Sequence, residues 1–253
     1  MNKSKNNKLR IEDIKLRFKG NPFFTFKELY KFYKEEEPEL KVGTFKWRIY
    51  KLKEKDIIRD LKRGVYKLGS FKEFVPVINS NVEKLYSYLI KAYPDIQIDI
   101  WETSWIHDFM NHQPFNSFII VEIDKEVLES AFYFLKEKRN SVYINPKGDD
   151  IEKYISNEKN VIVIKSIIKG SPSKKIKKIN IPKIEKILVD IFFESNLFKT
   201  YQGQELINIF ERVFEEYTIN LTTLLRYARK RGIKEKMNNF IVDTIKIKDS
   251  FFE

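Results

Sequence analysis

Apolar positions in the first 70 residues alternate between two periods. Ile11, Ile14 and Phe18 share one helical face, and Gly20-Asn21-Pro22 stops that helix. Thr25 opens a Thr-x-x-Glu capping box with Glu28, and Phe26, Leu29, Tyr30 and Tyr33 follow at i, i+3, i+4 and i+7, one face of a second helix. The run Glu35-Glu36-Glu37-Pro38 ends it. Thr44 is expected as N-cap of a third helix, with Phe45, Ile49 and Leu52 inward, Lys46, Trp47, Tyr50 and Lys51 on the opposite face, and Arg48 and Lys53 at the flanks. The period then shifts to strand-like runs, 57–61 and 65–68, around a tip at Lys62-Arg63-Gly64. Three short helices and a basic hairpin predict a winged helix-turn-helix, with Tyr66 in its core and Trp47 either exposed or filling a gap.

Beyond residue 75 the pattern predicts an α/β layer structure. After a linker or short edge strand over 71–80, a helix is expected over 81–93, with Leu85, Tyr88 and Leu89 on one face. The alternation of Ile96, Ile98 and Ile100 predicts a half-buried strand, and 105–110 a short helix. A strand is expected over 117–123, then a helix capped by Asp124 and running to Arg139. Strands follow at 142–144 and 161–164, with a helix over 149–155 between them. Gly170 to Lys178 reads as an exposed, lysine-rich loop, and the chain after Pro182 as a series of amphipathic helices, one of them capped by Asn220 and ended by Gly232. The expected fold is therefore α+β / α/β: a winged-helix domain over 1–75, then a mixed α/β domain over 76–253 with a helical C-terminal part and a sub-boundary near 170–180.

Charge sharpens this division. The 253 residues carry 48 Lys/Arg and 36 Asp/Glu, a net of +12. Residues 1–75 hold 21 and 11 of these, a net of +10; residues 76–253 hold 27 and 25, a net of +2. A localised basic excess is the electrostatic footprint of a phosphate-binding domain. On that basis Thr44, Lys46, Trp47, Arg48, Tyr50 and Lys51 are candidate DNA contacts on the third helix, with Lys62 and Arg63 at the hairpin tip on phosphates or in the minor groove. The lysines of the 170–178 loop are either a second nucleic-acid contact or a solvated surface. A winged helix that binds protein is the alternative.

The remaining composition is restrictive. There is no cysteine and there are only two histidines, His107 and His112, so thiolate chemistry is excluded and a His-rich zinc site is not expected. No segment approaches the roughly 20 apolar residues of a membrane span, and Met1 to Arg10 is polar; the expectation is a cytoplasmic protein with no membrane partner. Enzyme constellations are incomplete. Gly170-Ser171 is not followed by paired aspartates, and Pro94-Asp95 with Glu122-Ile123-Asp124-Lys125 has the wrong spacing for a restriction-type nuclease. No P-loop or dinucleotide turn is present. Asp99, Glu102, His107 and Asp108 are close in sequence, which packing and capping explain better than catalysis, and Asp190, on an apolar helix face, requires a partner such as Arg226. No catalytic residue, cofactor or metal is expected.

Three stretches resemble the AbiE-type (AbiEi family) antitoxins of abortive-infection toxin–antitoxin systems: the wing ending in Arg63-Gly64-Val65-Tyr66-Lys67-Leu68; the Trp105-Ile106 region with the strand near 118–121; and Ile181-Pro182-Lys183-Ile184-Glu185-Lys186-Ile187-Leu188-Val189-Asp190. Leu224-Leu225-Arg226-Tyr227-Ala228 and Gly232 fit the same family's C-terminal pattern. The resemblance implies a winged helix that binds operator repeats and represses its own operon, and a C-terminal domain that counters a nucleotidyltransferase-like toxin. The alternatives are a nuclease-like effector targeted by the winged helix and a protein-binding adaptor.

Overall fold

A computed structural model describes residues 8–19, 21, 23–69, 72–148 and 158–245. The N-terminal unit runs α1 (Ile11–Arg17), β1 (Phe24–Thr25), α2 (Phe26–Lys34), α3 (Val42–Glu54), β2 (Ile58–Lys62) and β3 (Val65–Leu68). Its strands form one antiparallel sheet in the order β1-β3-β2, which with the three helices is a winged helix. The capping box is present: the Glu28 N–H donates to the Thr25 hydroxyl at 3.1 Å, and the Thr25 N–H to the Glu28 carboxylate at 2.7 Å. The helices close over Ile14, Phe18, Leu29, Tyr33, Phe45, Ile49 and Leu52, with Tyr66 buried as expected. Gly20 and Pro22, expected to stop α1, lie outside the described residues.

The larger unit has a sheet in the order β4 (Ile98–Glu102), β5 (Phe118–Ile123), β7 (Val161–Ser166), β6 (Val142–Ile144). β4 is antiparallel to β5, and the other pairs are parallel. Every residue of β5 is buried, the mark of a strand covered on both faces. Helices α4 (Ser80–Ala92) and α5 (Leu128–Lys136) meet where Tyr93 reaches Ser130 at 2.8 Å and Arg139 reaches Asn81 at 3.1 Å. Across the sheet from them, Phe198 stacks on Trp101 and Phe118. On that side also lie α6 (Ile184–Phe193), α7 (Gln204–Glu216), α8 (Leu221–Lys230) and α9 (Lys234–Ile245).

Several elements depart from expectation. Residues 173–178 are not a loop. Ser173–Ile176 is strand β8, paired with β9 (Ile179–Pro182) through a tight turn at Lys177 and Lys178, both at positive φ. The four lysines Lys174, Lys175, Lys177 and Lys178 disguised the strand as a solvated segment. β4 is buried on both faces rather than half-buried, because Asp99 and Trp101 also turn inward. Tyr88 is exposed; Val82, Leu85, Tyr86 and Leu89 make the inner face of α4. Asp124 caps nothing with its side chain, since a 3-10 turn, Lys125–Val127, intervenes before α5. The helix expected over 149–155 lies outside the described residues.

The wing sheet sits between two apolar cores. Phe24, Ile58 and Tyr66 point into the winged-helix core, whereas Phe23, Leu61 and Val65 join the core of the α/β body. The period-2 alternation of strand side chains makes this possible from adjacent residues. The Lys67 ammonium donates to the Phe214 carbonyl of α7 at 2.5 Å, and Lys72 bridges to Tyr217. The expected boundary near residue 75 therefore falls in an extended segment whose Phe74 is itself buried in the second core.

Candidate nucleic-acid interface

The entry to α3 is fixed by Tyr30, whose hydroxyl donates to the Leu40 carbonyl at 2.6 Å, with Leu40 buried behind it. Helical geometry then starts at Val42 with Lys41 as N-cap. Thr44 is thus not the cap; it lies in the first turn and is exposed, beside Gly43, which faces open space. Lys41 and Gly43 belong to this exposed helix start. The signal for them is Leu40, the last buried residue before the helix.

The inner face of α3 is set by Phe45, whose ring lies 4.8 Å from those of Phe26 and Tyr30 and 5.7 Å from Tyr33. One face being anchored, the other is presented outward. Lys46 is exposed, Trp47 is 46% exposed and Tyr50 61% exposed. The Lys51 ammonium lies 5.3 Å from the Tyr50 ring centroid and pairs with Glu54, which raises its pKa. Two large exposed rings between lysines offer both cationic and stacking contacts.

Arg48 does not join this face. It is 4% exposed, stacks over the Tyr33 ring at 4.8 Å and donates to Glu37 at 2.7 Å, holding the Glu37 carboxyl below its ordinary range. Arg10 acts alike: it pairs with Glu36 at 2.6 Å and lies over the Phe32 ring at 4.2 Å. Both arginines thus neutralise the acidic turn between α2 and α3, whose carboxylates would otherwise repel phosphate near the helix start.

At the wing, Arg63 and Gly64 form a two-residue turn with Gly64 at φ +77°. The Gly64 carbonyl accepts from the Phe26 N–H at 2.8 Å, which ties the tip to the start of α2. Arg63 is exposed; the Lys62 side chain lies outside the described residues.

Asp99, Glu102, His107 and Asp108 do not converge. The Ser173 hydroxyl donates to Asp99, Glu102 accepts from Asn79 and Ser117, His107 bonds the Tyr201 hydroxyl, and Asp108 is exposed. A different arrangement sits at the body's centre. Strand register aligns Asp99, Glu122 and Lys165 across β4, β5 and β7. Facing them, Lys186, Asp190 and Glu194 lie at i, i+4 and i+8 along α6 and just past its end. Lys186 pairs with Glu122 and, at 2.6 Å, with Asp190; Lys165 pairs with Glu194. Asp190 also accepts from the Tyr227 hydroxyl at 2.8 Å and from Arg231 at 2.6 Å, so Arg231 and not the exposed Arg226 is its guanidinium partner. Burial alone would push Asp190 up, but the Lys186 and Arg231 charges hold it well below the ordinary carboxylate range. Each Asp190 oxygen is taken by donors of the chain itself, so this seam joins sheet to helices. Among the described residues no group of His, Asp and Glu has the arrangement of a metal site, and no helix is long and apolar enough to cross a membrane.

No curated protein matches the sequence. The model of a family of unknown function, DUF6577, matches residues 44–247, from the first turn of α3 through the wing to the last described helix. That span covers most of the chain, which therefore belongs to the DUF6577 family.

Proposed function

We propose that this protein binds double-stranded DNA with α3 in the major groove. The observation that carries the reading is the outer face of α3, where Lys46, Trp47, Tyr50 and Lys51 are presented together by a helix whose opposite face is locked into the core. A helix of this width enters the major groove, where all four base pairs are distinguishable. The net charge of +10 in residues 1–75 supplies the phosphate attraction. Because Arg10 and Arg48 are engaged with Glu36 and Glu37, the contacts fall to Lys41, Lys46 and Arg63, and to Lys51, whose pair with Glu54 is partly exposed and exchanged at little cost.

The biological role we propose follows the resemblance to AbiE-type antitoxins: repression of the protein's own operon through operator repeats, and neutralisation of a cognate nucleotidyltransferase-like toxin by the α/β body, in the cytoplasm. The winged helix and the mixed α/β body after it support this reading.

The test is DNA binding by the Lys46→Ala/Lys51→Ala double variant across a salt series. The salt slope is expected to fall by about 0.9 for each phosphate contact removed. Lys91→Ala serves as the control, because Lys91 is an exposed cation of the α/β body on α4; its salt slope should match the wild type. Unchanged affinity in the double variant would refute α3 as the recognition helix.

A further inference from the structure

Where the wing meets the body there is a cleft of about 460 Å³, lined by Arg59, Glu73, Phe74, Lys174, Lys183, Ile184, Glu185 and Thr218. The size is that of small-molecule sites. Its walls come from both units: Arg59 from β2 of the wing, Lys174 from β8, and Lys183 from the step between β9 and α6.

Three cations line one cavity; Lys174 is held by Glu73 and the Phe74 carbonyl, which leaves Arg59 and Lys183 for a ligand, and both carboxylates are engaged. Glu73 pairs with Lys174 at 2.8 Å, and Glu185 accepts the Asn220 N–H at 2.9 Å. Arg59 bonds Asp56 at the surface, where both side chains are about half exposed, and such a pair is exchanged at little cost. The Arg59 Nε is buried and has no hydrogen-bond partner among the described residues. Lys183 is exposed, and as N-cap of α6 it offers no side-chain acceptor to the helix start that opens beside it. Phe74 and Ile184 add an apolar wall, and the Glu73 and Glu185 carboxylates can accept from hydroxyl groups.

We propose that this cleft binds a small phosphorylated metabolite of nucleotide size, its phosphoryl group on Arg59 and Lys183, and that the bound ligand ties the wing to the α/β body. Arg59 is one residue from Asp60, whose carboxylate pairs with Lys53 of α3 at 2.5 Å. A ligand that fixes β2 therefore acts on the recognition helix through one ion pair. This last step rests on the DNA-binding reading; the site itself does not.

The test is calorimetric titration of the full chain, without DNA, using inorganic phosphate, AMP and ATP as probes. A nucleotide is expected to bind more tightly than phosphate, and Arg59→Gln and Lys183→Gln should each weaken it about tenfold or more, the loss of one charge-assisted contact. Lys183 is exposed, so its variant keeps the test valid should Arg59→Gln disturb the wing. No binding of any probe overturns the site, as does affinity unchanged in both variants; phosphate binding alone overturns the nucleotide-sized ligand. DNA affinity is then measured with and without the bound nucleotide, and equal values overturn the coupling while leaving the cleft assigned. Because the calorimetry contains no DNA, failure of the DNA-binding reading would leave it intact.

Discussion

At the level of single residues, the same side-chain type does different work according to what lies within reach. Lys46 and Arg48 stand two apart on α3, yet one is exposed and the other closes over Tyr33 and Glu37. Helical spacing places Arg48 at a flank and cannot choose between the two; the acidic turn that captures it is eleven residues away. Glu205 is a second case. Its carboxylate accepts from the backbone N–H groups of Asn111 and His112, at 2.8 and 3.0 Å, and from the His112 ring at 2.8 Å, so it pins the 110–112 loop to α7. Desolvation opposes ionisation, but these donors hold the pKa at about 2, against an ordinary 4.5. The folded-state value is depressed, so the stabilisation is full above pH 4.5 and is lost as pH falls through about 2. Glu205→Gln should cost roughly 1–3 kcal/mol at pH 7, and denaturant melts of wild type and variant should converge between pH 4.5 and pH 2. A gap that persists at pH 2 contradicts this assignment.

At the level of elements, α6 joins the α/β body by charge as well as by apolar packing. Ile184, Ile187, Leu188 and Ile191 are buried, and so are Lys186 and Asp190 on the same ten-residue helix. Asp190→Asn leaves the ammonium of Lys186 and the guanidinium of Arg231 short of a counter-charge inside the fold. Breaking a buried pair from one side costs about 3–5 kcal/mol, and chemical denaturation should show a loss of that size. A loss under about 1 kcal/mol would mean that Asp190 adds little beyond its volume. The inward position of Asp190 was legible from the apolar residues around it. Its partners were not, because Tyr227 and Arg231 lie in and just past a helix more than 35 residues on, and Lys186, four residues away, reads as a surface lysine. The capping box of α2, the Asn220 cap and the apolar run of β5 were legible because each is a local rule. β8 was not, because a lysine-rich strand pairs by its backbone and its sequence shows only the charge.

At the level of the whole molecule, the wing is the structural centre. Its sheet has one face in each core, so α3 and the α/β body are joined through β2 and β3. The winged-helix class was legible from the order of periods, but this docking was not: Leu61 and Val65 read as ordinary hairpin residues, and nothing local says that a second core covers them. A free wing would move independently, whereas this one is held on both faces. The net of +10 in the first 75 residues against +2 in the remainder gives the joined pair a basic end and a nearly neutral one. The central claim is that the basic end reads DNA. The most direct test is fluorescence-anisotropy binding of the full chain to its own promoter and to a scrambled duplex at two salt concentrations. Binding to the promoter is expected to be tighter, with a loss of affinity of about 0.9 log units per log unit of salt for each phosphate neutralised. Absence of binding to either duplex at low salt would contradict it.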